Sequence, residues 1–430
     1  MVRLGRCSWG CLAIALGVVP AQPAESAPQS IWQQETLTGD WGGARTALKN
    51  QGLEFTLVSI DEILGVVAGG LDRRASYAGR TEFTADADLK KLIGWNGASA
   101  HVTVYQIRDG GRNAEDNTGS LSDPSNIDAL PTTRLFTAWF QQTWLDDRIS
   151  LRVGQLAADD EFFTSQTATG LINGTFGWGD LNNIDLRSGG PAYPLAAPGA
   201  RFAVKASDAV TFQAAAFSGN PAGPDCNDLP QRCNRYGLKF GITNGALLIG
   251  EVQYALNQDK GSAPSGVFKL GAWYATGEPA EVPGLPQHRG DASLYAVADQ
   301  TLWRGKDSSV SLFMRGAITL ADRNTVSAYL DGGVGWKGPL PGRKDDTFTF
   351  GIAYADISPD LAAADRAAGN VPRDYELVFE ASYMAQIAPW WTIQPDLQFI
   401  VHPNGGQNPQ MPAERLGNAL VLGVRSTVKF

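Results

Sequence analysis

"WTIQPDLQFIVH", Trp391 to His402, alternates strictly. Trp391, Ile393, Pro395, Leu397, Phe399 and Val401 share one parity, and Thr392, Gln394, Asp396, Gln398 and His402 share the other, with Ile400 the single apolar intruder. A period of two puts alternate side chains on opposite faces of a β-strand. The same pattern recurs along the chain. In "RTEFTADADLK", Arg80, Glu82, Thr84, Asp86, Asp88 and Lys90 fall on one face, and Phe83, Ala85, Ala87 and Leu89 on the other. "DTFTFGIAYA" groups Phe348, Phe350, Ile352 and Tyr354, and "YELVFEASYM" separates Tyr375, Leu377, Phe379, Ala381 and Tyr383 from Glu376, Glu380 and Ser382.

Alternation suits two solvents. A soluble antiparallel sheet buries one face and wets the other, whereas a transmembrane barrel turns its apolar face to lipid and its polar face to water. Three features favour the barrel. Segments of about ten residues recur, the length that crosses a bilayer at a tilt. Aromatics gather near segment ends, as at Trp303, Trp336, Tyr383 and Trp390-Trp391. Ionised residues crowd the polar face, which a filled soluble barrel would have to bury unpaired. The last segment, "ALVLGVRSTVKF", alternates and ends on the aromatic Phe430, a feature similar to the signal read by the outer-membrane barrel assembly machinery.

Composition agrees. The 430 residues are 43% hydrophobic and 18% charged, with no apolar run long enough for a spanning helix. A net charge of -9 argues against a nucleic-acid partner. Arg3 and Arg6 precede the short apolar run Cys11 to Val19, and residues 1–27 read as a cleaved secretory signal. Cys7 and Cys11 leave with it. Cys226 and Cys233, in the turn-rich "NPAGPDCNDLPQRCNRYG", are then expected to form one small loop disulfide in an exported protein. His101, His288 and His402 are too few for a metal site with these cysteines and lie in no recognisable catalytic spacing, so neither a metal, a cofactor nor an enzyme activity is expected.

Several blocks carry a family resemblance. "LTGDWGGARTALKNQGLEF", "RISLRVGQLAADDEF", "GGPAYPLAAPGARFAVK" and "WWTIQPDLQFIVHP" resemble, in order, blocks of the carbohydrate-selective porin family, the glucose-porin type of Gram-negative outer membranes. The resemblance runs from Leu37 to Phe430 and implies a 16-stranded antiparallel barrel of monomeric type that passes sugars by facilitated diffusion, a monosaccharide such as glucose foremost. A non-selective or ion-preferring porin is the alternative on the same scaffold. The outer-membrane lipid and small sugars are the implied partners, and the sequence leaves open a monomer or a homo-oligomer.

The expected organisation is a signal (1–27), an N-terminal segment with a short helix (28–52) and the barrel (53–430). Asp40 is placed to cap a helix over Gly42 to Asn50 that Gly52 stops, docked at or inside the periplasmic mouth with Arg45 paired to lumen carboxylates. Seventeen strand candidates compete for sixteen places, and 201–206 is the expected surplus. The long stretch 156–200 lacks alternation and reads as a constriction loop folded into the barrel. A pyranose offers hydroxyls and an apolar ring face, which carboxylates, Arg forks and aromatic rings bind. By parity the lumen candidates are Arg80, Glu82, Asp86, Arg201, Lys205, Lys269, Arg315, Glu380, Gln394 and Asp396, with Trp178 as a stacking platform.

Overall fold

A computed structural model describes residues 30–258 and 263–430, so the expected signal segment, 1–27, lies outside the described residues. The alternating segments form sixteen antiparallel strands closed into one barrel, with β1 hydrogen-bonded to both β2 and β16. The first eight are β1 (Leu53–Ala68), β2 (Ala75–Asp88), β3 (Ala98–Asp109), β4 (Thr132–Trp144), β5 (Ile149–Leu156), β6 (Ala197–Lys205), β7 (Val210–Ser218) and β8 (Ala246–Leu256). The rest are β9 (Gly266–Ala275), β10 (Asp291–Arg304), β11 (Ser309–Thr319), β12 (Val326–Lys337), β13 (Thr347–Ile357), β14 (Tyr375–Ala388), β15 (Trp391–Val401) and β16 (Ala419–Lys429).

Parity sets the faces as read from sequence. On β15, Leu397 and Phe399 are exposed on the outer wall, whereas Gln394, Asp396 and Gln398 point inward and are buried. The intruder Ile400 also points inward, where it joins an apolar cluster inside the barrel. An even strand number puts both chain ends on one side. Connectors on that side span two to nine residues, and those on the other reach forty, between β5 and β6. Short turns mark the periplasmic side and long loops the extracellular side.

The surplus strand is 236–243, not 201–206, which is part of β6. Tyr236, Leu238, Phe240 and Ile242 are all exposed, as their alternation implies, but the segment lies in the β7–β8 connector. It crosses the rim, where the Leu135 N–H donates to the Tyr236 carbonyl at 3.0 Å and Ser218 Oγ donates to the Gly241 carbonyl at 3.2 Å. Alternation reports an apolar side, not membership of the ladder. The same connector holds the Cys226–Cys233 disulfide, with Cα atoms 5.6 Å apart.

The N-terminal helix α1 spans Ala44–Gln51, later than expected. A tight turn over Trp41–Gly43 precedes it, with φ of 66° at Gly42 and 94° at Gly43, a region that favours glycine. Asp40 is therefore not the cap residue itself. Its carboxylate reaches past the turn to accept from the Thr46 N–H and hydroxyl, both at 2.9 Å. Gly52 ends the helix in the left-handed region, as expected. Arg45 does not meet lumen carboxylates. It donates to the Thr36 hydroxyl at 2.5 Å and to the carbonyl of the terminal Phe430 at 2.7 Å, and stacks over Trp41. With Leu37 N–H on the Lys429 carbonyl at 2.8 Å, the segment clasps the β1–β16 seam.

Candidate functional site

Two extracellular connectors fold into the barrel. The longer, 157–196, is fastened to the wall by charged side chains that parity turned inward. The Glu380 carboxylate accepts the N–H groups of Ile172 (2.5 Å) and Asn173 (3.0 Å), and Asn173 Nδ2 donates to Gln398 at 2.9 Å. Arg315 pairs with Asp331, both side chains fully buried, and its guanidinium donates to the carbonyls of Phe163 (3.0 Å), Gly177 (2.7 Å) and Thr175 (3.2 Å). The shorter, 110–131, presents Leu121 and Ser122 N–H groups to Glu376 at 2.7 and 2.8 Å, and Ser125 to Glu62, itself paired with Arg425 at 2.7 Å.

The connectors also bind each other. Asn126 N–H donates to Ile172 O at 2.8 Å, Gly174 N–H to Asp123 O at 2.8 Å, Tyr193 Oη to Ile127 O at 2.7 Å, and Ser122 Oγ to Asp180 at 2.5 Å. Burial pushes the Asp180 carboxyl up to about 6, opposed by the Ser122 hydrogen bond. Burial likewise raises Asp185, whose carboxylate accepts the Thr325 and Val326 N–H groups.

This filling is one-sided. Inward groups on β1, β12 and β14–β16, such as Glu62, Asp331, Glu380 and Gln398, are sealed under the connectors. Four inward groups on β2–β5 keep contact with solvent, Arg80 15%, Glu82 29%, Asp86 49% and Arg152 19% of their side-chain surface, while Thr103, Tyr105, Arg134 and Gln155 beside them are buried. The open path therefore follows the β2–β6 wall. At its narrow upper part Arg80 lies 4.7 Å over the Tyr105 ring, 5.0 Å over the Tyr193 ring and 3.4 Å from Glu82. The Tyr193 backbone is held by Asp159 at 2.9 Å. Wall and infolded connector thus meet at the Arg80 guanidinium, as they do again where Glu161 of the connector takes up Arg152 and Arg201.

Towards the periplasm the wall continues as a ladder. Asp86 meets His101 Nδ1 at 2.7 Å, His101 stacks on Trp139 at 4.7 Å, and Arg152 lies 3.9 Å over the same Trp139 ring. Glu161 then bridges Arg152 (2.7 Å) and Arg201 (2.6 Å). Above the constriction, a vestibule of about 680 Å³ is bordered by Asp109, Glu115, Asp123 and Asp128, with Arg112 and Tyr193. A separate apolar depression of about 960 Å³, around Ala214, Leu248 and Leu294, lies on the outer wall.

The candidates from sequence divide accordingly. Arg80, Glu82 and Asp86 share the open wall. Arg201 lies on it too but is buried against Glu161 and Ser150. Glu380, Gln394 and Asp396 do not face the path. Glu380 holds the long connector, Gln394 donates to Gly170 O at 3.0 Å, and Asp396 accepts from Gln398 at 2.9 Å. Parity put them in the lumen correctly but carries no information on which part of the lumen is filled. Trp178 is buried within the connector and its indole N–H donates to Gly189 O at 3.1 Å, so it packs the fold rather than offering an open platform. Sequence reading missed Tyr105 and His101, which parity on "HVTVYQIRD" would have turned inward beside Thr103. It also missed Tyr193, which no periodicity marks, and the infolding of 110–131. Among the described residues, no group of three His, Cys, Asp or Glu side chains is placed to hold a metal ion.

Comparison with known proteins gives one consistent result. Residues 72–430 match the family model described as carbohydrate-selective porin, OprB family. Porin B of Pseudomonas aeruginosa is 26% identical, over 98% of this chain and 97% of that protein. The putative porin QuiX of Acinetobacter baylyi is 24% identical, over 93% and 94%. The high-pH structure of OprB from Pseudomonas putida superposes with a TM-score of 0.81 at 22% identity, covering 94% of this chain and all of the other, a likeness of fold.

Proposed function

The chain belongs to the carbohydrate-selective porin family, and on that premise we propose that it admits monosaccharides through the channel along the β2–β6 wall. It is an outer-membrane β-barrel and a channel. Transport of this kind needs no nucleophile. It needs a passage where water hydrogen bonds on a sugar are exchanged for wall hydrogen bonds at little net cost.

The observation that carries the proposal is the Arg80 constriction. Arg80 supplies a planar fork of donors, Glu82 accepts, the Tyr105 hydroxyl does either, and the Tyr193 hydroxyl, its proton on the Ile127 carbonyl, accepts. Adjacent hydroxyls of a pyranose present the complementary set. Arg80 and Glu82 are two residues apart on one strand face, about 6.5–7 Å, comparable to the ring. Below it, the Asp86–His101 pair and the Arg152–Glu161 bridge repeat donor and acceptor towards the periplasm. Mixed signs suit a neutral solute, whereas a ring of one sign selects ions. The acidic groups bordering the vestibule, with Glu115 and Asp128 pushed up to about 7 by burial and neighbouring carboxyls, disfavour anionic solutes before they reach Arg80 most strongly above that pH.

Liposome swelling tests the reading. Proteoliposomes should swell faster in monosaccharides than in disaccharides, and more slowly in a sugar acid than in its neutral parent. Equal rates for mono- and disaccharides would make the pore non-selective.

A further inference from the structure

The barrel wall is shortest between β4 and β8. β5 has 8 residues, and β6 and β7 have 9 each. At a rise of about 3.4 Å and a tilt of about 35–45°, such strands climb roughly 19–25 Å, no more than the ~25 Å apolar band they line. β4 climbs past them. Its pairing with β5 starts at Ala138, so the edge of Thr132–Thr137 on that side has no strand beside it.

That edge is closed by other means. The Leu135 N–H donates to the Tyr236 carbonyl at 3.0 Å, and Gln155 Nε2 donates to the carbonyls of Leu135 (3.2 Å) and Phe136 (2.7 Å). Thr132 Oγ1 donates to the Arg235 carbonyl at 3.1 Å. From β4 the segment 236–243 runs to β7, where Ser218 Oγ donates to the Gly241 carbonyl at 3.2 Å and accepts the Thr243 N–H at 3.0 Å. Ser218 shares the outward parity of the exposed Ala214 and Ala216 but is buried, so the segment lies over the outer end of β7. It forms a lintel above β5 and β6. A strand edge in water is solvated, whereas an edge among acyl chains has to be paired or covered.

The lintel presents the side chains of a lipid face. Tyr236, Leu238, Phe240 and Ile242 are each more than half exposed. Gly237 between them is buried, and the Lys239 stem packs on Gly223, where a Cβ would lie 2.6 Å from Lys239 Cδ. The wall beneath has no such residues. Its outward positions towards the extracellular ends of β5, β6 and β7 include Val153, Ala200 and Ala216, where β9 carries Tyr274 and β14 carries Tyr375. A row of large exposed apolar groups marks a surface that something covers.

We propose that 236–243 is part of the membrane-facing wall, with Tyr236, Leu238, Phe240 and Ile242 among outer-leaflet acyl chains just below the headgroups. The occupant follows from continuity. The row extends an outer wall that already faces lipid, over the arc where the strands stop short, and it supplies the aromatic girdle that this arc lacks.

Fluorescence quenching in proteoliposomes of the full chain tests the assignment. Leu238→Cys, Phe240→Cys and Ile242→Cys, each labelled with bimane, should keep heat-modifiable migration and wild-type conductance, so the readout comes from folded channels. Lipids brominated near the headgroup end of the acyl chain should quench all three labels. Aqueous iodide should quench them severalfold less than a label at Pro286→Cys, an exposed position in the β9–β10 connector. Iodide quenching equal to that at Pro286 would place the segment in water and overturn the proposal. Shielding from both quenchers would mean that protein covers the row, and overturns it equally.

Discussion

The Glu380 carboxylate, on β14, accepts the backbone N–H of Asn173, in the middle of the long infolded connector, at 3.0 Å. With the Ile172 N–H on its other oxygen, this one side chain fixes how far the connector reaches across the lumen. Each buried N–H left without an acceptor costs about 1–3 kcal/mol. Glu380→Ala should therefore loosen the connector around 171–173 without unfolding the strands. Single-channel recording should show larger and noisier conductance with heat-modifiable migration unchanged. An unaltered conductance would mean that the other wall contacts, through Gln398, Gln394, Arg315 and Asp299, hold the connector without Glu380.

The Arg315–Asp331 pair makes a sharper demand. Both side chains are fully buried, and Arg315 also binds three connector carbonyls. Removing one partner of a buried pair leaves an uncompensated charge, at about 3–5 kcal/mol. Arg315→Met should lower refolding yield markedly, and adding Asp331→Asn should recover much of it because the stranded charge is gone. A double variant no better than the single would assign the loss to the three carbonyls instead.

The two faces can be separated by charge. Leu397→Arg directs a cation into lipid and should cost roughly 2–4 kcal/mol near the midplane. The adjacent Gln398 is not a suitable inward control, because it is fully buried and bonded to Asn173, Pro124 and Asp396. Thr84, inward on the open β2 wall and half-buried, is the better one. Thr84→Arg should fold at wild-type yield while Leu397→Arg does not, scored by heat-modifiable migration after refolding into lipid.

These cases mark what sequence carries. Period two fixed the inward set on β2, β14 and β15, because strand geometry is local. It misplaced 236–243, whose apolar side is real but whose backbone crosses the rim. It could not separate Glu82, on the open path, from Glu380, under a connector, because that difference depends on where forty distant residues fold. Tyr193 reaches Arg80 only through that same fold. The glycine-rich opening motif foretold a helix but not its partner, the chain's own last residue.

Acid pH should tighten the joined connectors. Asp180 is buried where 110–131 meets 157–196, and burial pushes its carboxyl up to about 6 from an ordinary value of 3.8. A carboxyl raised on folding contributes stability that is present below the ordinary value and is lost as pH rises through the raised one. From pH 5 to pH 8 the group therefore ionises next to Asp331, and the connector is held less firmly. Amide exchange across 173–186, corrected for intrinsic rates, should show greater protection at pH 5 than at pH 8. Asp180→Asn, which keeps an acceptor for Ser122 without a charge, should flatten that difference. Persistence of the full difference in the variant would move the titrating group to another carboxyl that burial raises in these connectors, Asp185, Asp159, Asp123 or Asp128.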